Sequence, residues 1–253
     1  GGLMAELGSH QLDAAGIFVS ALSREKGHKV HPLTVHAIGG RHLFAPDREA
    51  EDHVYCLFEY PGQGYDYDFD VGYRDPVNNH PDPAHGVPDY VNDNEKKVVV
   101  SYSSINGNGF GGYGEVVMGT KATLVLDREQ EAMLYPLQGT SASAGVRHRD
   151  GKSPVLDTTA SGDVATAKAA EACYVSRGYR EEIEHWAWCI RNPAPEHQPR
   201  CKPEVALADA VIALTSNLAI AKGGRIDFQP EWFDVSSDAT PDGSKPAPAA
   251  NLA

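Results

Sequence analysis

An α+β fold is predicted for this chain, with an open, mostly antiparallel or mixed β-sheet and helices packed on one face. Three observations predict it. Strand-like segments follow one another with short turns between residues 33 and 137. Helical patterns are grouped at the two ends instead of alternating with strands. Many strands carry apolar residues on both faces, so one face should pack under the helices. The other then needs a partner, most simply a second copy of the chain.

The elements read in order as follows. Leu3, Leu7, Ala14, Phe18 and Leu22 fall at helical spacing and predict an amphipathic helix over residues 3–22. Leu33–Ile38 reads as a strand closed by Gly39-Gly40, and His53–Tyr60 as a second, with Val54, Cys56, Phe58 and Tyr60 alternating before Pro61-Gly62. Tyr65–Tyr73 alternates aromatic and acidic residues, and 78–94 is a Pro/Asn/Asp/His loop. Val98–Tyr102 is a strand, Glu115–Met118 and Thr123–Leu126 form a hairpin around Gly119-Thr120-Lys121, and Ala132–Leu137 adds a strand. Residues 138–175 form a long Ser/Thr/Ala/Gly-rich surface loop. A helix over Tyr179–Arg191 has Ser176 as candidate N-cap and a stripe of Ile183, Trp186, Ala187 and Ile190; Pro193 stops it. A second helix runs from Pro203 to Lys222 with a stripe of Leu207, Val211, Leu214 and Leu218, capped by Gly223-Gly224. These elements predict one domain over residues 1–233 and a disordered tail over 234–253.

The 253 residues carry a net charge of −13, which disfavours binding to a phosphate backbone, so no nucleic-acid partner is expected. No apolar run is read as approaching the ~20 residues that span a bilayer. Cys56, Cys173, Cys189 and Cys201 form no Cys-x-x-Cys pair, against a zinc ribbon or a disulfide scaffold. The opening Gly1-Gly2-Leu3-Met4 runs straight into a helical pattern, so the chain is expected to be the C-terminal part of a longer protein. It is expected in the cytoplasm, although a targeting signal could have belonged to the missing part.

Glu6, His10 and Asp13 stand at i, i+4 and i+7 of the first helix, within an arc of roughly 60°. A carboxylate one turn from an imidazole suits proton transfer, because it can orient the ring and hold its charge near neutral pH. The same spacing suits two metal ligands, or a solvated polar stripe. Gly109, Gly111 and Gly114, or Gly107, Gly109 and Gly112, match Gly-x-Gly-x-x-Gly, but a β-like hairpin follows where the phosphate-binding motif needs a helix. Asp66, Asp68 and Asp70 lack the Gly and Glu of a calcium loop, since Val71 and Val77 stand there. His80, Asp82 and His85 have no recognised metal spacing. Trp186, Trp188, Trp232 and Phe233 read as core, with one able to stack on a sugar, and Arg177 and Tyr179 could contact a polar substrate.

The stretch Gly1-Gly2-Leu3-Met4-Ala5-Glu6-Leu7-Gly8-Ser9-His10-Gln11-Leu12-Asp13 resembles the helix that opens the second domain of the glucose–fructose oxidoreductase / inositol dehydrogenase (Gfo/Idh/MocA) family. Gly114–Lys121 is similar to that family's strand–Gly-Thr–strand hairpin, and Gly223-Gly224-Arg225-Ile226 to the segment closing its domain. The resemblance implies the substrate-binding and catalytic half of an oxidoreductase that acts on a hydroxyl of a sugar, cyclitol or related polyol. It implies NAD or NADP, bound mainly by an N-terminal Rossmann domain outside this chain, so that the isolated chain would neither bind the dinucleotide nor turn over. His10 matches the family's acid/base histidine, and Glu6 stands where the family has aspartate. Asp13 matches a further acidic position that would hold the helix or the substrate. The Glu-for-Asp departure keeps an alternative open: a non-enzymatic α+β binding and oligomerisation domain.

Overall fold

The structure, a computed structural model, describes residues 1–21, 29–62, 97–107, 112–119, 122–127, 131–136, 145–147, 155–157 and 178–245. It is α+β, and every strand pair among the described residues is antiparallel. In chain order the strands are β1 (Thr34–Gly40), β2 (His53–Pro61), β3 (Lys97–Ile105), β4 (Gly114–Met118), β5 (Ala122–Asp127), β6 (Glu131–Pro136), β7 (Gly145–Arg147), β8 (Val155–Asp157) and β9 (Arg225–Asp227). The helices are α1 (Ser9–Ala21), α2 (Tyr179–Arg191) and α3 (Pro203–Lys222). The residues cluster as two compact units, whereas the sequence predicts one span over 1–233. One unit holds 1–66, 90–109 and 200–253; the other holds 67–89 and 110–199. The predicted strand Tyr65–Tyr73 and the 78–94 loop, with Asp66, His80, Asp82 and His85, lie outside the described residues, as do Gly109, Gly111, Cys173, Ser176 and Arg177.

The first unit is built on a four-stranded sheet of order β3-β2-β1-β9. β2 alternates as its sequence predicts: Val54, Cys56, Phe58 and Tyr60 are buried, while Tyr55 and Leu57 are exposed. Cross-strand register carries the alternation outward. Cys56 stands opposite Ala37 and Tyr102, and Phe58 opposite Val35 and Val100, so the buried residues share one face. α1 and α3 pack together on this sheet. Asn217 of α3 donates to the Gly1 carbonyl at 2.9 Å, tying the chain's first residue to the same layer. The other face shows Ile38, Tyr55, Leu57, Val99 and Ile105 to the exterior of this unit.

Both helices of this unit bury faces turned away from the predicted stripes, of which Leu3 and Val211 are buried as expected. Met4–Gly8 is a π-helical turn running into α1. Its wider turn breaks the 3.6-residue count, so Leu3, Met4, Gly8, Leu12, Gly16 and Val19 face inward and Leu7 is exposed. α3 buries Ala208, Val211, Ile212, Ala213, Thr215, Ser216 and Ala219, while Leu214 is exposed. α3 is apolar nearly all round, so the close approach to the sheet selects its small residues for the inner face. By length and composition α3 could also cross a membrane, which corrects the expectation that no segment comes near that length. Here it serves as the helix packed on β1 and α1. Gly223 ends it at φ +66°, with its N–H donating to Ile220, the left-handed cap that the Gly-Gly pair predicts. Residues 234–245, predicted as part of a disordered tail, carry successive turns. Asp234 accepts from Ser236 at 2.7 and 2.8 Å, and Asp242 from Ser244 at 2.7 and 2.9 Å.

The second unit contains the sheet β4-β5-β6, the β7–β8 pair and α2. Gly119 donates to Ala122 to close the β4–β5 hairpin. In α2, Cys189 alone is buried; the predicted stripe residues Ile183, Trp186 and Ile190 are exposed. The chain instead turns back after Asn192, and His197 packs its ring 4.4 Å from that of Trp188.

Candidate functional site

The predicted proton-transfer residues lie on the first two turns of the N-terminal helix. Glu6 belongs to the π-helical turn and is exposed; its carbonyl accepts from Ser9 Oγ at 3.1 Å. His10 is exposed near the start of α1. Asp13 lies one turn further along the same face, and its carboxylate is already committed. Lys29 Nζ donates to Asp13 Oδ1 at 2.6 Å and also to Asp209 of α3. Lys29 and Asp209 are nearly buried, with side chains 12% and 14% exposed; that of Asp13 is 36% exposed.

This triad gives the site its electrostatics. Burial pushes the Asp209 carboxyl above the usual carboxylate range, and the nearby Asp13 pushes the same way. Lys29 and His10 pull it back. His10 is therefore within electrostatic reach of a charge on α3. Two carboxylates and one ammonium leave a net negative charge beside an exposed imidazole. An exposed imidazole can exchange a proton with a hydroxyl that reaches it.

Of the residues singled out in the sequence, the structure places His10 and Asp13 on one face and Glu6 one turn before them. Tyr179 opens α2 in the other unit and is exposed; Arg177 lies outside the described residues. Trp186 and Trp188 are exposed. Trp186 lines an open groove of about 520 Å³ with Ile190, Pro193 and His197. Trp232 and Phe233 are half-buried and pack with Phe228 and His31. Lys29 and Asp209 went unremarked in the sequence. One signal pointed to Asp209: it is the sole charged residue of α3 between Glu204 and Lys222.

A second polar cluster, also unforeseen, sits at the β1–β2 connection. Asp52 is buried, and its Oδ2 accepts from the backbone N–H groups of His42, Leu43 and Phe44 at 2.7, 2.6 and 2.9 Å. Its Oδ1 lies 2.8 Å from His53 Nδ1, and the His42 ring stacks on that of His53 at 4.9 Å. Burial alone would raise the Asp52 carboxyl. The three N–H groups and the His53 ring outweigh burial and hold it well below the usual carboxylate range.

A dinucleotide needs a glycine-rich turn that opens a helix. Gly112 and Gly114 lead into β4 instead, and no described helix begins there.

No family model and no curated protein matches the sequence. Solved structures do. An oxidoreductase from Sinorhizobium meliloti superposes with a TM-score of 0.51 at 13% identity, over 88% of this chain and 51% of that one. The likeness is one of fold. Levoglucosan dehydrogenase in its apo form gives 0.47 at 12% identity, over 89% and 51% of the two chains. The WlbA dehydrogenase from Bordetella pertussis, in complex with NADH and UDP-GlcNAcA, gives 0.43 at 11% identity, over 90% and 47%. The chain thus spans about half the length of the solved structures it matches.

Proposed function

We propose that this chain is the substrate-binding and catalytic half of an oxidoreductase of the Gfo/Idh/MocA type, acting on a hydroxyl of a sugar, cyclitol or related polyol. NAD or NADP would be held mainly by a domain outside the chain. The observation that carries the reading is the exposed His10 imidazole on α1, backed by the Asp13–Lys29–Asp209 triad. Within this chain His10 takes the proton of the reacting hydroxyl and returns it in the reverse direction. Glu6, one turn before it, helps to orient the ring. Asp13, whose carboxylate holds Lys29, supports the helix more than the substrate. Arg177 and Tyr179 remain proposed substrate contacts.

The exposed sheet face, with Ile38, Tyr55, Leu57 and Val99, supports pairing with a second copy of the chain. The test of the catalytic reading uses the chain joined to its dinucleotide-binding domain and steady-state rates on polyol substrates. His10→Ala should lower kcat by ~10²–10⁴-fold. The Kd for the dinucleotide should not move. A folded His10→Ala protein with full activity would overturn His10 as the acid/base, and a wild-type protein with no turnover on any polyol would leave the non-enzymatic binding domain in its place.

A further inference from the structure

We propose that Asp209 is a positioning residue for His10: through Lys29 and Asp13 it fixes α1 to α3 and presents net negative charge to the imidazole. The proposal rests on the reading of His10 as the acid/base, and concerns a residue 199 positions away from it in the chain.

The geometry is a shared helix face followed by two contacts. His10 and Asp13 share a helix face one turn apart. Asp13 accepts from Lys29 at 2.6 Å, and the same ammonium reaches Asp209 on α3. The Lys29 stem crosses α1 at Gly16. A Cβ there would come within 3.1 Å of Lys29 Cε, so the glycine leaves the passage that the lysine uses. An ammonium this buried, between two carboxylates from different helices, sets the separation and rotation of α1 relative to α3. The rotation of α1 is what aims His10.

The second consequence is electrostatic. Among the described residues, the charged and titratable groups near His10 are Glu6 and Asp13 on its own segment, Lys29 ahead of β1, and Asp209 from α3. Tyr102 of β3 packs at Gly8, two residues before His10. Removing Asp209 leaves Lys29 with one carboxylate and makes the surroundings of His10 more positive. Removing Lys29 leaves two carboxylates and makes them more negative. The two substitutions must therefore move His10 in opposite directions, which a bracing role alone would not produce.

The experiment is a ring-¹⁵N histidine titration of this chain by NMR, with the His10 signal assigned from a His10→Gln variant. Asp209→Asn should move the His10 titration to lower pH and Lys29→Met should move it to higher pH. Lys29→Arg, which keeps the charge and can hold both carboxylates, should leave it in place. If Asp209→Asn fails to fold, the Lys29→Met/Asp209→Asn double variant removes one charge of each sign and should titrate like the wild type, while Lys29→Met alone still shifts upward. Folded single variants that leave His10 unmoved, or move it the same way, overturn the proposal whatever His10→Ala does to turnover. In the enzyme carrying its dinucleotide-binding domain, the His10 limb of the kcat/KM pH profile should move in the same two directions. Opposite shifts together with a fully active His10→Ala enzyme would instead overturn the catalytic reading, and the positioning role with it.

Discussion

His31 lies flat against Phe233, with ring centroids 3.9 Å apart and planes 11° from parallel. The stack joins the segment leading into β1 to the 3₁₀ turn Pro230–Phe233 near the end of the described chain. Burial, with a smaller contribution from the charge of Lys29, pushes the His31 imidazole down to about 4 from the ordinary 6.5. In the unfolded chain the ring protonates at its ordinary value. The unfolded state therefore binds more protons between these two values, and stability rises with pH across that window. As pH falls from 6.5 towards 4 the stability is lost. His31→Phe keeps an aromatic stack without a titrating group. Urea midpoints at about pH 5 and about pH 7 should differ less in His31→Phe than in the wild type. An equal difference in both proteins would refute the assignment.

Asp52 organises the β1–β2 connection by satisfying three backbone donors with one oxygen. Asp52→Ala leaves those N–H groups without their acceptor in a part-buried site. Its Tm should fall by roughly 5 °C or more. Asp52→Asn keeps an oxygen for the N–H groups and should fall by much less, while the His53 ring signals change because its carboxylate partner is gone. Thermal melts followed by circular dichroism separate the two variants.

Leu57 stands on the uncovered sheet face, opposite His36 and Ser101, and is 55% exposed. If this face pairs with a second copy, Leu57→Glu places a charge in the contact without touching the buried face of β2. The expected result is a drop in mass by light scattering with unchanged far-ultraviolet circular dichroism. An unchanged mass in a wild-type oligomer would move the contact elsewhere.

Cys56 lies under the π-helical turn, donating to Met4 Sδ at 3.6 Å, and burial pushes its thiol up to about 12. Cys189 is buried and Cys201 exposed. In a Cys173→Ser background, a disulfide-exchange reagent at mildly alkaline pH should titrate Cys201 at once. Cys56 should react only on unfolding. Rapid labelling of Cys56, read by peptide mass, would show that the layer of α1 over the sheet opens readily.

β2 shows how much of the fold was legible. Its alternation named Val54, Cys56, Phe58 and Tyr60, and all four are buried, because a strand's two-residue period admits no other register once one face is covered. The ends of α3 were equally plain from Pro203 and Gly223, but its inner face was not. An all-round apolar helix has no periodic signal for its orientation, and the leucines yielded to alanine, serine and threonine. β9 was missed as a strand because three residues carry no period; pairing with β1 creates it. At the site, His10 and Asp13 could be read from spacing along one helix. Lys29 and Asp209 could not, since 180 residues separate them and only the packing of α3 on α1 makes them neighbours.

The small residues facing inward on α3 also limit how the protein can vary. Ala208 is fully buried and adjoins Asp209, and Ala219 and Ile212 are equally enclosed. The two methyls that Ala208→Val adds enter a fully buried position, and overpacking there lifts the helix from what it covers. Lifting it carries Asp209 away from Lys29. A conservative exchange such as Ala208→Val, far from any reacting atom, would thus loosen the grip on α1. Lineages that enlarge one of these positions should shrink a neighbour on β1 or α1 in compensation.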